Sequence, residues 1–158
     1  MFALDIEPVF LQYSRMKCEK GEITWICGNM ESIPLRTDTL DVTVAGELIE
    51  HCAYPEDIVS EILRCTRPGG YVIITTPNGA RVMKGLPTFA EVCSKEERRV
   101  FEGKQFLPDG KGHLFLFKLE EIPMIVPKGA QIVGSGYLGG TVLVNEYSIL
   151  FLKLLPVR

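Results

Sequence analysis

Glu47 and His51 stand four residues apart, so on a helix the carboxylate and the imidazole would share a face and could pair. Histidine is the side chain that exchanges its proton nearest neutral pH, which makes His51 a candidate general base. The competing role for His51 is to cap or pack at a helix entrance. A metal site on Glu47 and His51 would need a third ligand, and none is expected. The chain's other histidine, His113, precedes Leu114-Phe115-Leu116-Phe117 and either faces a pocket or packs in that apolar run. Three further polar clusters are Asp5-Ile6-Glu7, Asn29-Met30-Glu31 and Gly46-Glu47. The side-chain oxygens of Asp5 and Asn29 can accept hydrogen bonds from a ligand. Asp5 could instead be a capping acid ahead of Pro8, and Asn29 an ordinary turn residue.

Each of these clusters ends a short apolar segment. Phe2 to Ile6, Ile23 to Cys27 and Leu40 to Ala45 have strand composition, and Tyr71 to Thr76 is a nearly continuous apolar strand of the kind buried in parallel sheets. Pro8 suits the first turn of a helix whose apolar side would carry Val9, Phe10, Leu11, Tyr13 and Met16. Pro55-Glu56-Asp57 opens a second helix, with acids where the dipole favours them and Ile58, Val59, Ile62 and Leu63 at helical spacing. Arg67-Pro68-Gly69-Gly70 predicts a tight turn. The alternation implies an α/β fold: a mainly parallel, Rossmann-like sheet with helices on both faces. Ligands of such sheets bind at the carboxyl ends of the strands, where the polar clusters fall.

The second half is less regular. A helix is expected near Phe89 to Phe101, a loop over Leu107 to Gly112, helical structure over Leu119 to Val126 and a short strand at Gln131 to Val133. Lys95-Glu96-Glu97-Arg98-Arg99 predicts a solvated helix face. Gly134-Ser135-Gly136-Tyr137-Leu138-Gly139 fits a dinucleotide-binding pattern, but too little chain follows for the βαβ unit and the distant acid that pattern requires.

The 158 residues, 46% hydrophobic and 23% charged, suit one globular domain and exclude disordered and collagen-like chains. A formal net charge of −3 provides no basic field for nucleic acid. Five cysteines, an odd number without a Cys-x-x-Cys pair, fit reduced thiols in the cytoplasm better than a disulfide framework. No signal peptide is expected, and the apolar run Ile149 to Leu155, broken by Lys153, is too short for a membrane span.

Four stretches together resemble the class I S-adenosylmethionine-dependent methyltransferases of the small-molecule type. They are Ala3-Leu4-Asp5-Ile6-Glu7-Pro8, Gly28 to Leu35, Leu40 to His51, and Glu61 to Asn78 with its Arg67-Pro68-Gly69-Gly70 turn. The resemblance implies S-adenosylmethionine as cofactor and a small-molecule methyl acceptor. It gives Asp5 the ribose hydroxyls, lays Ile6 against the adenine, and puts Asn29 where the family commonly has an aspartate facing the adenine amino group. Met30 and Glu31 continue that loop, and Gly46 and Glu47 line the methionine end beside His51. Residues 80–117 occupy the region of a substrate-cap insertion within the single domain 1–158.

The match begins at the family's second strand, so an incomplete core, truncated before that strand, is expected. Its glycine-rich loop is not among the matched stretches, unless the Gly134 run serves that role in permuted order with Thr141 to Leu155 as its helix. Thr141 to Arg158 has the look of a helix more than of the family's closing antiparallel strand. Strands left without their central neighbour would pair directly, borrow a strand from another copy, or leave a gap. A non-catalytic remnant serving as a binding or assembly partner is the alternative function.

Overall fold

The computed structural model describes residues 1–18, 21–80, 85–105, 112–138 and 147–154. In chain order these form β1 (Phe2–Asp5), α1 (Pro8–Lys17), β2 (Thr24–Cys27), β3 (Leu40–Gly46), α2 (Pro55–Cys65), β4 (Thr66–Pro77), α3 (Lys95–Arg98), β5 (Ala130–Leu138) and β6 (Tyr147–Leu154). Short 3-10 turns lie at Ile49–His51, Phe89–Val92, Arg99–Lys104 and Ile122–Ile125. β1 and β2 pair in parallel as one small sheet. The larger sheet has the order β3-β4-β6-β5, with β3 and β4 parallel and β6 antiparallel to both its neighbours.

The core forms on one face of the larger sheet. Ile58, Val59, Ile62 and Leu63 give α2 a continuous apolar stripe. They join Ala45, Val72, Ile74, Leu150 and Leu152 from the strands, and Phe89, Phe115 and Phe117 from the irregular half, in one buried cluster. α2 also anchors the loop after β2. Glu61 Oε1 accepts from the Ile33 N–H at 2.9 Å, and Arg64 Nη2 donates to the Ile33 carbonyl at 3.1 Å. That clamp holds the segment carrying Asn29 and Met30 against the body of the protein.

β1 and β3 do not pair. Between them lies a cleft of about 450 Å³, lined by Phe2 and Leu4 on one side and by Leu40, Val42 and Val44 on the other. Of the outcomes foreseen for these strands, direct pairing within the chain does not occur. The apolar side expected of α1 is accordingly not buried: Val9, Phe10, Tyr13 and Met16 are exposed, Met16 at 83%, because no layer among the described residues covers them.

Several expectations for the second half are corrected. Residues 147–154 form β6, not a helix. Leu150 and Leu152 point into the core at the two-residue period of a strand, and both edges of β6 are paired. A short apolar run of this kind suits either state until its neighbours are known. Gly134 to Leu138 lies inside β5, so those residues form neither a dinucleotide loop nor a permuted cofactor loop; Gly139 and Gly140 fall outside the described residues. The helix expected over Phe89 to Phe101 is broken into three short pieces. Thr88 and Ser94 each start a new one with a capping box, to Glu91 and Glu97. Leu119 to Val126 contributes only the 3-10 turn Ile122–Ile125. The loop expected over Leu107 to Gly112 lies, apart from Gly112, outside the described residues. Arg98 is not on a solvated face but is 1% exposed and paired with Glu56.

The Arg67–Gly70 turn is present as a bulge at the start of β4, between the pairs Leu40↔Thr66 and Val42↔Tyr71, with Gly69 at φ 82°. At Gly70 a Cβ would stand 2.8 Å from the Asp41 carbonyl oxygen and 2.9 Å from that of Arg67. Both obstacles are backbone and cannot swing away. Gly70→Ala is therefore expected to destabilise the fold by about 1–3 kcal/mol, read as a lower urea midpoint. An unchanged midpoint would mean that the bulge opens freely.

Candidate active site

The carboxyl ends of β1, β2 and β3 meet at a crevice of about 290 Å³ lined by Leu4, Asp5, Ile6, Asn29, Met30 and Val44 to Leu48. It thus unites Asp5, Ile6, Asn29, Met30, Gly46 and Glu47, which come from three separate stretches of sequence. Asp5 and Asn29 lie on the same edge, as the strand-end argument requires. Asp5 Oδ1 accepts the Glu7 N–H at 2.8 Å, so the residue does secure the turn into α1 while its other oxygen remains available. The Asn29 amide is braced at both ends by Glu31: Nδ2 donates to Glu31 Oε2 and Oδ1 accepts the Glu31 N–H, each at 2.9 Å. Glu31 itself is exposed, outside the crevice lining, and acts there by holding Asn29.

Glu47 has φ 50°, an uncommon left-handed conformation for a residue with a side chain. Two bonds to Thr75 hold it: its N–H donates to the Thr75 carbonyl at 3.0 Å, and Thr75 Oγ1 donates to Glu47 Oε1 at 2.9 Å. Burial raises the Glu47 pKa, and the Thr75 hydroxyl partly offsets that. Strain maintained by a dedicated set of bonds beside a crevice is typical of functional positions.

The chain then makes one 3-10 turn, and the helical pairing expected of Glu47 and His51 is replaced by another arrangement. The carboxylate beside His51 is that of Glu50, which is fully buried. Thr76 Oγ1 donates to Glu50 Oε2 at 2.9 Å, while Oε1 has no hydrogen-bond partner among the described residues. Burial pushes the Glu50 pKa up to about 8, against the Thr76 bond and with the charge of Glu47 adding to the rise. His51 Nε2 lies 4.0 Å and His113 Nε2 3.9 Å from Glu50 Oε1. The two imidazoles meet edge to face with centroids 4.7 Å apart. Desolvation lowers both histidine pKa values, so neutral rings with lone pairs are favoured. His113 therefore faces this cluster and is not simply packed among the phenylalanines that follow it. The Leu114 N–H donates to the Glu50 carbonyl at 2.8 Å and fixes the approach. Glu50 and the partnership of His113 escaped the sequence reading. The available signal was the Glu50-His51 pair just past a strand, but nothing in the sequence brings residue 113 beside it.

Comparison with known proteins places the fold. Residues 1–74 match the family model described as a methyltransferase domain. A segment of 76 residues, 44% of the chain, is 30% identical to the mitochondrial 2-methoxy-6-polyprenyl-1,4-benzoquinol methylase of Caenorhabditis elegans and covers 27% of that protein. A segment of 52 residues, 33% of the chain, is 33% identical to malonyl-[acyl-carrier protein] O-methyltransferase of a Marinomonas species and covers 19% of it. The chain thus spans well under half the length of these curated relatives. Among solved structures, a SAM-dependent methyltransferase from Aquifex aeolicus aligns over 98% of this chain and 68% of its own, with a TM-score of 0.66 and 16% identity. SAM-dependent methyltransferases from Methanosarcina mazei align over 98% of this chain and 82% of theirs, with a TM-score of 0.65 and 13% identity. The fold is the Rossmann-like fold of solved SAM-dependent methyltransferases. Residues 1–74 match a methyltransferase domain, and the cofactor this likeness implies is S-adenosylmethionine.

Proposed function

We propose that the protein transfers a methyl group from S-adenosylmethionine to a small-molecule acceptor. The observation carrying this reading is the single crevice shared by Asp5, Ile6, Asn29, Met30, Gly46 and Glu47 at three strand ends. The residues suit the cofactor. The unengaged Asp5 oxygen can take ribose hydroxyls, and Ile6 and Met30 offer apolar walls to a flat ring. Asn29, held square by Glu31, keeps an amide lone pair for an exocyclic amine. Glu47 places a carboxylate at the methionine end. S-adenosylmethionine, when bound, supplies an electrophilic methyl on a sulfonium; the protein's task is to align the acceptor and shed its water. His51, past the crevice on the acceptor side, is the residue on which turnover depends. Residues 80–117, which bring His113 to it, are the acceptor cap.

The acceptor is a small molecule and not a nucleic acid, consistent with the net charge of −3. Reduced cysteines support a cytoplasmic setting, and no helix among the described residues is long and apolar enough to cross a membrane. The open edges of β1 and β3 allow copies of the chain to associate. That same gap favours the second reading, a non-catalytic binding or assembly partner.

Titration calorimetry with S-adenosylmethionine tests the first reading. No glycine-rich loop lines the crevice among the described residues, so this 158-residue chain is expected to bind weakly or not at all by itself, and Asp5→Ala should abolish what binding there is. Micromolar binding would remove the argument from the loop. Binding indifferent to Asp5→Ala would remove the crevice assignment.

A further inference from the structure

Glu50 poses a specific physical problem. A carboxylate withdrawn from water is retained when it is paired, fully hydrogen-bonded or bound to a metal. Among the described residues no lysine or arginine pairs with Glu50, and one of its two oxygens has no hydrogen-bond partner. His51 Nε2 and His113 Nε2 lie 4.0 Å and 3.9 Å from that oxygen.

We infer that Glu50, His51 and His113 form a binding site for one divalent first-row transition-metal ion. The three ligand atoms, one from each residue, lie within 4.8 Å of one another. Ligand atoms sharing such an ion stand roughly 3–3.5 Å apart, given metal–ligand bonds of about 2.1 Å. A modest inward turn of the two rings closes that difference, and both side chains are partly exposed and able to make it. Two imidazoles and one carboxylate suit Mn²⁺, Fe²⁺, Co²⁺ or Zn²⁺ better than Ca²⁺, and three protein ligands leave further positions open. The supporting bonds are already present: Thr76 orients the carboxylate from its far oxygen, and the Leu114–Glu50 backbone bond fixes the segment that delivers His113. The third ligand missing beside His51 in the sequence is thus supplied from beyond the irregular segment.

Resting on the methyl-transfer reading, the site also sets the acceptor class. A cation held by Glu50, His51 and His113 would polarise an acceptor hydroxyl bound to it and make its O–H acidic. The proton passes to water. The oxygen then forms the new O–C bond as the methyl's S–C bond breaks, and the electron pair left on sulfur discharges the sulfonium. His51 acts in this arrangement as a ligand and not as a free base.

The test is binding of Co²⁺ to the chelator-treated full chain, followed by visible absorption, and it requires neither cofactor nor methyl transfer. One saturating equivalent is expected, with d–d bands but without the near-ultraviolet band of thiolate-bound cobalt. His113→Ala should weaken binding by about 100-fold or more, and His51→Asn, at a more accessible position, should do the same. Melting curves without metal establish that each variant is folded. Absence of a saturable spectrum in the wild-type chain would overturn the site, as would equal affinity in either folded variant or a thiolate spectrum. Metal binding with no methyl transfer would leave the site standing and reject only the acceptor reading.

Discussion

In a complete enzyme, replacement of His51 by alanine is expected to lower methyl-transfer turnover by about 10²–10⁴-fold while leaving the affinity for S-adenosylmethionine nearly unchanged. The split follows from position. The crevice that would hold the cofactor ends at Leu48, and His51 lies one turn further on, against Glu50 and His113. The substitution therefore leaves Asp5, Asn29 and Glu47 untouched while removing a neutral imidazole lone pair on the acceptor side. Whether that lone pair takes the acceptor's proton or holds the cation that acidifies it, its loss removes the activating step. Release of S-adenosylhomocysteine measures the rate, and calorimetry measures cofactor affinity. An unchanged rate would return His51 to a packing role; parallel losses in rate and affinity would show that it shapes the crevice itself.

Arg98→Ala should cost about 3–5 kcal/mol of stability and lower Tm by about 10 °C. The guanidinium is enclosed and almost fully engaged. Nε donates to the Ala53 carbonyl at 2.8 Å, and Nη1 donates to those of Cys93 at 2.6 Å and Val92 at 3.2 Å. Nη2 pairs with Glu56, and the group lies 4.8 Å from the Phe89 ring centre. Alanine would leave several buried carbonyls unpaired at once and Glu56 with only its longer 3.9 Å pair to Lys95. Arg98→Lys retains the charge but loses the fork, so it should recover only part of the loss. A thermal melt identical to wild type would mean that this network does not form in solution.

The sequence made the strand-end crevice legible because its parts are local. Asp5, Asn29 and Glu47 each terminate a run whose strand character is evident from composition, and parallel strands carry their ends to one edge. Other features depend on partners that sequence spacing does not reveal. Tyr147 to Leu154 is a strand because β4 and β5 flank it, and the same apolar run could serve as a helix elsewhere. Arg98 looks solvated beside Lys95 and Glu96 until Ala53, Val92 and Cys93 close over it. Glu50 is one more acid in a polar stretch until Thr76 and His113 reach it. In each case a tertiary neighbour overrides the local signal.

The cleft between β1 and β3 also divides the protein's cooperativity. Neither β1, α1 nor β2 contributes a fully buried side chain, whereas α2 and the larger sheet share the core. The β1-α1-β2 segment should therefore open at a lower free energy than the rest, as a unit of its own, and unfolding of the whole should not be two-state. The candidate cofactor crevice spans that division, with Asp5, Ile6, Asn29 and Met30 on one side and Gly46 and Glu47 on the other. A ligand seated there would tie two weakly coupled units into one. Its binding free energy would register first as a change in how the molecule unfolds, with the two transitions merging toward one.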